Sequence, residues 1–282
     1  MPAGAVTLSV KGDNGAGYCD TAAMMVKRMA TAYGKASDRF TDADLDLDNI
    51  AAFDAGLSDQ ERRVLTERVY VASPRTQSEV ADLLGLSRER VTQIDRSTRH
   101  RLRSLIEADP ALADLSAMIN RRAAPVADAA ALMTDSTLAG TPVGGVEAPC
   151  WRVVAAASGL RTSENWIIRG SLRSVAEFTK SAVEAAARPG EAASVITIAD
   201  HLGLSGDSAA RWLLRAGYEL LDGHAIAARS TTGEIVVAAL SIRGAPLTFD
   251  DIIDATSAIP RAHNSIRNAL ASDERIVRTD RT

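Results

Sequence analysis

The clearest alternation of apolar and polar positions lies between residues 57 and 107. Two pairs there have the spacing of a capping box, in which the N-cap side chain and the third helical residue each bond the other's backbone amide. These pairs are Ser58 with Glu61 and Thr76 with Glu79. After Thr76, we expect one apolar helix face, formed by Val80, Leu83 and Leu84. The pattern predicts two short helices.

A longer amphipathic helix is predicted after Gly85, a residue that tolerates the positive φ of a tight turn. Ser87 is a preferred N-cap residue for it. Its inward positions recur three or four residues apart and are Val91, Ile94, Thr98, Leu102 and Leu105. Its outward positions are Arg88, Glu89, Thr92, Gln93 and Arg96. Two helices joined at a glycine turn predict a helix-turn-helix between Thr76 and Leu105.

The rest of the chain repeats this pattern. Residues 81–87 (ADLLGLS) recur almost unchanged as residues 199–205 (ADHLGLS). Short β-prone segments follow helical stretches near residues 159–171, 217–230 and 274–278. The simplest account is a series of winged-helix-like units, each with three helices and a small hairpin.

We therefore expect a mainly α fold of tandem helix-turn-helix and winged-helix modules with short β wings. The predicted domains are an N-terminal helical and acidic segment (1–55), the helix-turn-helix (56–108) and winged-helix-like units at 109–171, 172–230 and 231–282. The first segment would hold a helix near residues 21–33. Only four residues follow Arg278, so the last wing is either incomplete or completed by a partner strand.

Charge and composition limit the classes of function that are expected for this protein. The net charge is −4, so any contact with DNA must be local, and residues 88–103 supply six Arg against two acidic residues. The two cysteines and four histidines have no metal-ligand spacing, no cofactor motif is present, and no catalytic constellation supports an enzyme. No apolar run approaches the roughly 20 residues of a membrane span, and no signal peptide is evident. A cytoplasmic protein is expected.

The outward face of the long helix has the chemistry to read base edges of double-stranded DNA. Arg88 can donate two hydrogen bonds to guanine, Glu89 can accept from a cytosine amino group, and Gln93 can pair with adenine. We call these three residues the reading triplet; the alternative is a solvated face on a helix that packs on protein. The residues expected at the DNA backbone are Thr76, Gln77, Arg90, Thr92, Arg96 and Arg99.

Residues 57–65 (LSDQERRVL) and 78–94 (SEVADLLGLSRERVTQI) resemble region 4 of primary-type bacterial sigma factors. The resemblance implies a domain that reads the −35 promoter element and packs against the β flap of RNA polymerase. The base-reading positions of that family fall on the reading triplet. Arg99, Arg101 and Arg103 match its basic helix end, which meets phosphates or activators. The chain departs from the family because it has no aromatic-rich region 2, so a self-sufficient sigma factor is not expected.

Three functions remain in view. The first is a sequence-specific DNA-binding transcription factor, the second is an accessory protein that binds RNA polymerase and redirects or blocks initiation, and the third is a module of a defence or mobile-element system. A second surface, for DNA or for a protein partner, would comprise Arg211, Arg215, Arg261, His263, Asn264 and Arg267. Four other residues are expected in the core: Cys150, Trp151, Trp166 and Trp212.

Overall fold

The computed structural model describes residues 7–10, 47–123, 125–134, 142–143, 146–187 and 192–279, with the backbone alone for 7–10. The chain forms two compact units: Tyr33–Val175, and Met1–Ala32 together with Ala176–Thr282. The helix expected near residues 21–33 lies outside the described residues, as does most of the acidic run that precedes Asp48.

The first described helix of the Tyr33–Val175 unit is α1 (Asp48–Ala55), which the sequence did not predict. The predicted helices follow as α2 (Asp59–Leu65), α3 (Gln77–Leu84) and α4 (Arg88–Ala108), with a π-helical turn (Thr66–Tyr70) after α2. A first module follows, with the elements α5 (Pro110–Arg122), β2 (Val126–Asp128), α6 (Ala129–Leu132), α7 (Cys150–Ala157), β3 (Arg161–Ser163) and β4 (Trp166–Ile168). Its three strands form an antiparallel sheet in the order β2–β4–β3.

One apolar core runs through α2, α4 and the first module. It contains Leu65 and Leu102 from the helix-turn-helix region together with Leu115, Ile119 and Val153 from the module, all 0 % exposed. The helix α7 is buried along its whole length. The sequence predicted a domain boundary at residue 108, whereas these side chains pack into a single core.

The second module has the same order of elements. It comprises α8 (Leu172–Ala186), β5 (Ala193–Ser194), α9 (Val195–Leu202), α10 (Gly206–Arg215), β6 (Tyr218–Leu221) and β7 (His224–Ala227). The strand order is again antiparallel, β5–β7–β6. Trp212 is buried and its indole Nε1 donates to the hydroxyl of Thr179 at 2.9 Å, so the α10 tryptophan is a core anchor, as predicted.

The third module comprises α11 (Thr232–Arg243), α12 (Phe249–Ala255), α13 (His263–Ser272) and β8 (Ile276–Thr279). Its hairpin is completed by β1 (Thr7–Val10), which pairs antiparallel with β8 in the register Thr7↔Thr279 and Val10↔Ile276. The pairing of β1 with β8 is the same as in the β6–β7 hairpin, where the last residue of the first strand pairs with the first residue of the second strand. The returning strand that the sequence could not locate therefore comes from residues 7–10 of the same chain.

The second and third modules also share a core. Leu221 and Ile226 of the β6–β7 hairpin pack with Ile235 of α11 and Ile259.

The described parts of the chain contain many helices and three small antiparallel sheets, which confirms the mainly α fold. Within those same parts, no helix is both long and apolar enough to cross a membrane.

Deletion of residues 1–10 should destabilise the third module, because β8 would lose its only described strand partner and α11 would lose its contact with β1. Each lost hydrogen bond is worth about 0.5–1.5 kcal/mol, so we expect a loss of about 1–3 kcal/mol in unfolding free energy, read as a lower Tm. Deletion of residues 1–6 keeps β1 and is the control. Equal Tm values for the two deletions would contradict the strand pairing.

Candidate nucleic-acid interface

Both predicted capping boxes are present at the start of the helix-turn-helix region. The Ser58 hydroxyl accepts from the Glu61 amide, and the Ser58 amide donates to the Glu61 carboxylate at 2.9 Å. At α3, the Thr76 amide donates to Glu79 at 2.7 Å. Hydrogen bonds from these N-caps lower the pKa of Glu61 and of Glu79, because they favour the ionised carboxylates. Both helix starts are therefore set by local sequence.

The turn between α3 and α4 depends on Gly85, which has φ +63° and bonds the Ala81 carbonyl through its amide. The Ser87 hydroxyl then accepts from the Arg90 amide at 3.1 Å and starts α4. Beneath the turn, Val80 and Val91 are fully buried together with Val64 of α2. This small core sets the orientation of α4 relative to α3.

One packing expectation for α3 is wrong. Leu83 was predicted on the apolar face with Val80 and Leu84, but its side chain is 51 % exposed. Val80 and Ala81 occupy the buried side of α3, and Leu84 packs partly against them. Leu83 lies between these two rows and faces solvent.

Gly85→Ala should cost about 1–2 kcal/mol of unfolding free energy, since L residues are penalised by that amount in the left-handed region. No heavy atom lies within 4 Å of the position that an alanine Cβ would occupy, so the penalty comes from the backbone alone. Gly203, at φ +69°, closes the turn of the second module in the same way and should respond equally. Gly206→Ala is the control, because Gly206 begins α10 without a positive φ. A Gly85→Ala protein as stable as the control would contradict this account.

The reading triplet lies on the first two turns of α4, and all three side chains are exposed. Within the described residues, none of the three is held by a side-chain hydrogen bond or an ion pair. Val91 and Ile94, which alternate with them, are buried at 0 % and 5 % exposure. The helix therefore has one side locked into the protein and the other side open.

The residues expected at the DNA backbone fall into two groups. Arg90, Thr92 and Arg96 are exposed beside the reading triplet, and Gln77 is half-buried at the start of α3. Thr76 is exposed, but its amide and its hydroxyl already bond Glu79. The Thr76 hydroxyl can still donate a hydrogen bond to a phosphate, since a hydroxyl can donate one hydrogen bond while it accepts another.

Arg99 and its neighbours Arg101 and Arg103 have hydrogen-bond or ion-pair partners within the protein. The guanidinium of Arg99 donates to Asp95 at 2.6 Å, to the Ala156 carbonyl at 3.2 Å and to the Arg68 carbonyl at 3.3 Å. Arg103 Nε donates to the Ala157 carbonyl at 2.8 Å. Arg101 pairs with Glu61 at 2.7 Å and lies over the ring of Phe53. All three arginines of this basic helix end are engaged within the protein.

The second candidate surface lies on the third helices of the second and third modules. Arg211 and Arg215 are exposed on α10, and Arg211 donates to Ser208 Oγ at 3.2 Å. On α13, His263 and Asn264 are exposed, and the Arg267 guanidinium lies 5.0 Å above the ring of Phe249. Arg261, just before α13, is 3.8 Å from the Glu219 carboxylate.

The charge of the neighbouring helix argues against DNA contact at α13. The helix α12 carries three exposed carboxylates, Asp250, Asp251 and Asp254. Hydrogen bonds from Thr248 lower the pKa of Asp251 and favour its ionised form. Phosphates would be repelled by this helix, whereas a basic protein surface would not.

The comparisons with known proteins agree with the geometry of the first helix-turn-helix. Residues 55–104 match the family model described as sigma-70, region 4. No curated protein and no solved structure matches the chain. The matched range contains α2, α3, the Gly85 turn, the reading triplet and most of α4. Residues 55–104 therefore form a sigma-70 region 4-like helix-turn-helix, a type of domain that binds DNA.

Proposed function

We propose that the protein is a sequence-specific DNA-binding transcription regulator that reads a −35-like promoter element in the major groove. The observation that carries this proposal is the two-sided character of α4. Its reading triplet is exposed and unpaired within the described residues, while Val91 and Ile94 are locked into the core. A helix held on one side can present the other side to the groove without rearrangement.

Each member of the triplet has a distinct task. Arg88 donates a bidentate pair to the O6 and N7 atoms of guanine, Glu89 accepts from the N4 amino group of cytosine, and Gln93 bonds adenine one helical turn farther on. Around them, Arg90, Thr92 and Arg96 are exposed and can bond phosphates, with Thr76 and Gln77 at the start of α3. We leave Arg99 out of this set because its guanidinium already has three partners.

The first two modules have the helix and strand order of a winged helix, and the third has three helices and a two-stranded sheet that β1 completes. We propose that all three are winged helices. The first is not a DNA reader, because its third helix, α7, is buried along its length. In the second, the hairpin residue Asp222 is paired with Arg243 of α11 at 3.0 Å. The wings therefore contribute to the packing between modules. In the third module, the acidic helix α12 is better suited to contact with a protein partner than to contact with DNA.

Selection of bound duplexes from a random library, with the full chain as bait, tests the proposal. Enrichment of a TTGACA-like hexamer is the expected result. A variant with alanine at Arg88, Glu89 and Gln93 is the control and should enrich no hexamer. Enrichment of the same sequence by the control, or of none by the natural chain, would contradict base reading by α4.

A second candidate function is an accessory protein that binds RNA polymerase and redirects or blocks initiation. The match of residues 55–104 to a sigma-factor region favours it, because sigma factors work as polymerase subunits. Gel-shift titrations with and without polymerase separate the two functions. Binding to duplex alone supports the first, and binding only with polymerase supports the second. Either activity would place the protein in the cytoplasm, together with promoter DNA.

A further inference from the structure

A buried carboxylate lies in the middle of α4. Asp95 is 6 % exposed, and it lies seven residues after Arg88, two helical turns farther along α4 at the edge of its buried side. Its two oxygens have different partners: Oδ2 accepts from Arg68 Nε at 2.8 Å, and Oδ1 accepts from Arg99 Nε at 2.6 Å. A carboxylate held by two guanidinium groups has a defined orientation, since charge-assisted hydrogen bonds are short and directional.

Arg68 connects this carboxylate to the start of α3. Its Nη1 atom donates to the Arg75 carbonyl at 2.6 Å, and Arg75 directly precedes the α3 N-cap. Arg75 is itself held by Glu67, through its amide at 3.0 Å and through an ion pair at 3.2 Å. One side chain on the π-helical turn thus joins the middle of α4 to the beginning of α3.

We propose that Asp95 and Arg68 are positioning residues for base reading. These two residues fix the rotation of α4 about its own axis relative to the start of α3. Phosphate contacts from the start of α3 and base contacts from α4 can then form at the same time. The inference rests on the proposed function of α4. It assigns to these two residues a share of the sequence specificity, although neither belongs to the reading triplet and Asp95 is buried.

The distance that side-chain ends would move if α4 rotated supports a role for directional hydrogen bonds at Asp95. Side-chain ends on a helix lie about 5–6 Å from its axis, so a rotation of about 15° moves them by about 1.5 Å. A hydrogen bond tolerates only a few tenths of an ångström around 2.7–3.2 Å, so such a rotation would break the base contacts. The apolar contacts of Val91 and Ile94 are non-directional and resist this rotation less well than two guanidinium–carboxylate bonds do.

Asp95→Asn in the full chain tests the proposal. The variant keeps the size of the side chain but loses the charge and one acceptor. The measurement is the specificity ratio, defined as the affinity for the selected duplex divided by the affinity for a duplex with altered hexamer. We expect this ratio to fall about tenfold, whereas affinity for the altered duplex, which depends on phosphates, should change less than twofold.

Asp54→Asn is the matched control. Asp54 is also buried, at 5 % exposure, and it pairs with Arg62 at 3.3 Å and with the Tyr70 hydroxyl at 3.1 Å, but it lies on α1. We expect it to lower Tm and to leave the specificity ratio unchanged. Asp95→Glu retains both acceptors and the charge, and it should recover most of the ratio.

The outcomes separate the two proposals. If the natural chain itself shows a ratio of one, the proposed function fails; if it shows a high ratio that Asp95→Asn preserves, only the positioning role is overturned. Should Asp95→Asn fail to fold, Arg68→Lys decides, because it keeps the charge but cannot reach both Asp95 and the Arg75 carbonyl. A reduced ratio for Arg68→Lys supports positioning, and an unchanged ratio overturns it.

Discussion

Arg88→Ala should weaken binding to the selected duplex by about 1–3 kcal/mol, a factor of roughly 5 to 150 in Kd. The reason is that a bidentate pair to guanine discriminates against the other bases, and alanine leaves the guanine acceptors without a partner. Arg88 is exposed and makes no ion pair within the described residues, so the loss should appear in binding and not in folding. Fluorescence anisotropy at fixed salt measures it.

Arg63→Ala is the matched control for Arg88→Ala. Arg63 is exposed on α2, outside the reading triplet and the helix starts of α3 and α4. Both variants lose one positive charge, but only Arg88→Ala should relax the preference at one base pair. If the two variants lost affinity equally on all duplexes, Arg88 would act as a general charge and its assignment to a base edge would be wrong.

Leu102→Ala should reduce the unfolding free energy of the Tyr33–Val175 unit by about 2–5 kcal/mol, the range for truncation of a buried leucine. Leu102 is 0 % exposed, and the core around it contains residues from α2, α5 and α7. Since that core is continuous, the helix-turn-helix and the first module should unfold in one transition, and both should be destabilised together.

Urea unfolding of a Trp212→Phe background tests this coupling. The remaining tryptophans, Trp151 and Trp166, are buried in the first module and report its unfolding, while loss of duplex binding reports the helix-turn-helix. We expect the two transitions to coincide and to shift together in Leu102→Ala. Leu83→Ala, at a half-exposed position, should shift both by less than about 1 kcal/mol. Separate transitions would show that the two parts have independent cores.

The sequence alone determined the features that depend on neighbouring residues. Ser58 with Glu61 and Thr76 with Glu79 set helix starts because each pair bonds within four residues. Gly85 set the turn because a positive φ is a property of one residue. The spacing of Val91 and Ile94 set the buried side of α4 because helical periodicity is local. These signals located the helix-turn-helix and its exposed triplet.

Asp95 shows where the local signals were incomplete. It stands among the buried positions of α4, and an acidic residue at such a spacing was a sign of an internal cationic partner. The i, i+4 spacing of Asp95 and Arg99 could have indicated one partner, but no spacing pointed to Arg68, which is 27 residues away. The same limit applies to Leu83, whose exposure depends on where α2 and α4 pack.

Only the tertiary structure decided which arginines face outward and which strand closes the last hairpin. The half-buried Arg99 and the exposed Arg103 are held by the carbonyls of Ala156 and Ala157, 57 and 54 residues away, which accept their hydrogen bonds. The strand β1 lies next to β8 although they are at opposite ends of the sequence. Such contacts join residues with no local relation along the chain, so no spacing or periodicity encodes them; they form when packed cores bring distant donors and acceptors together.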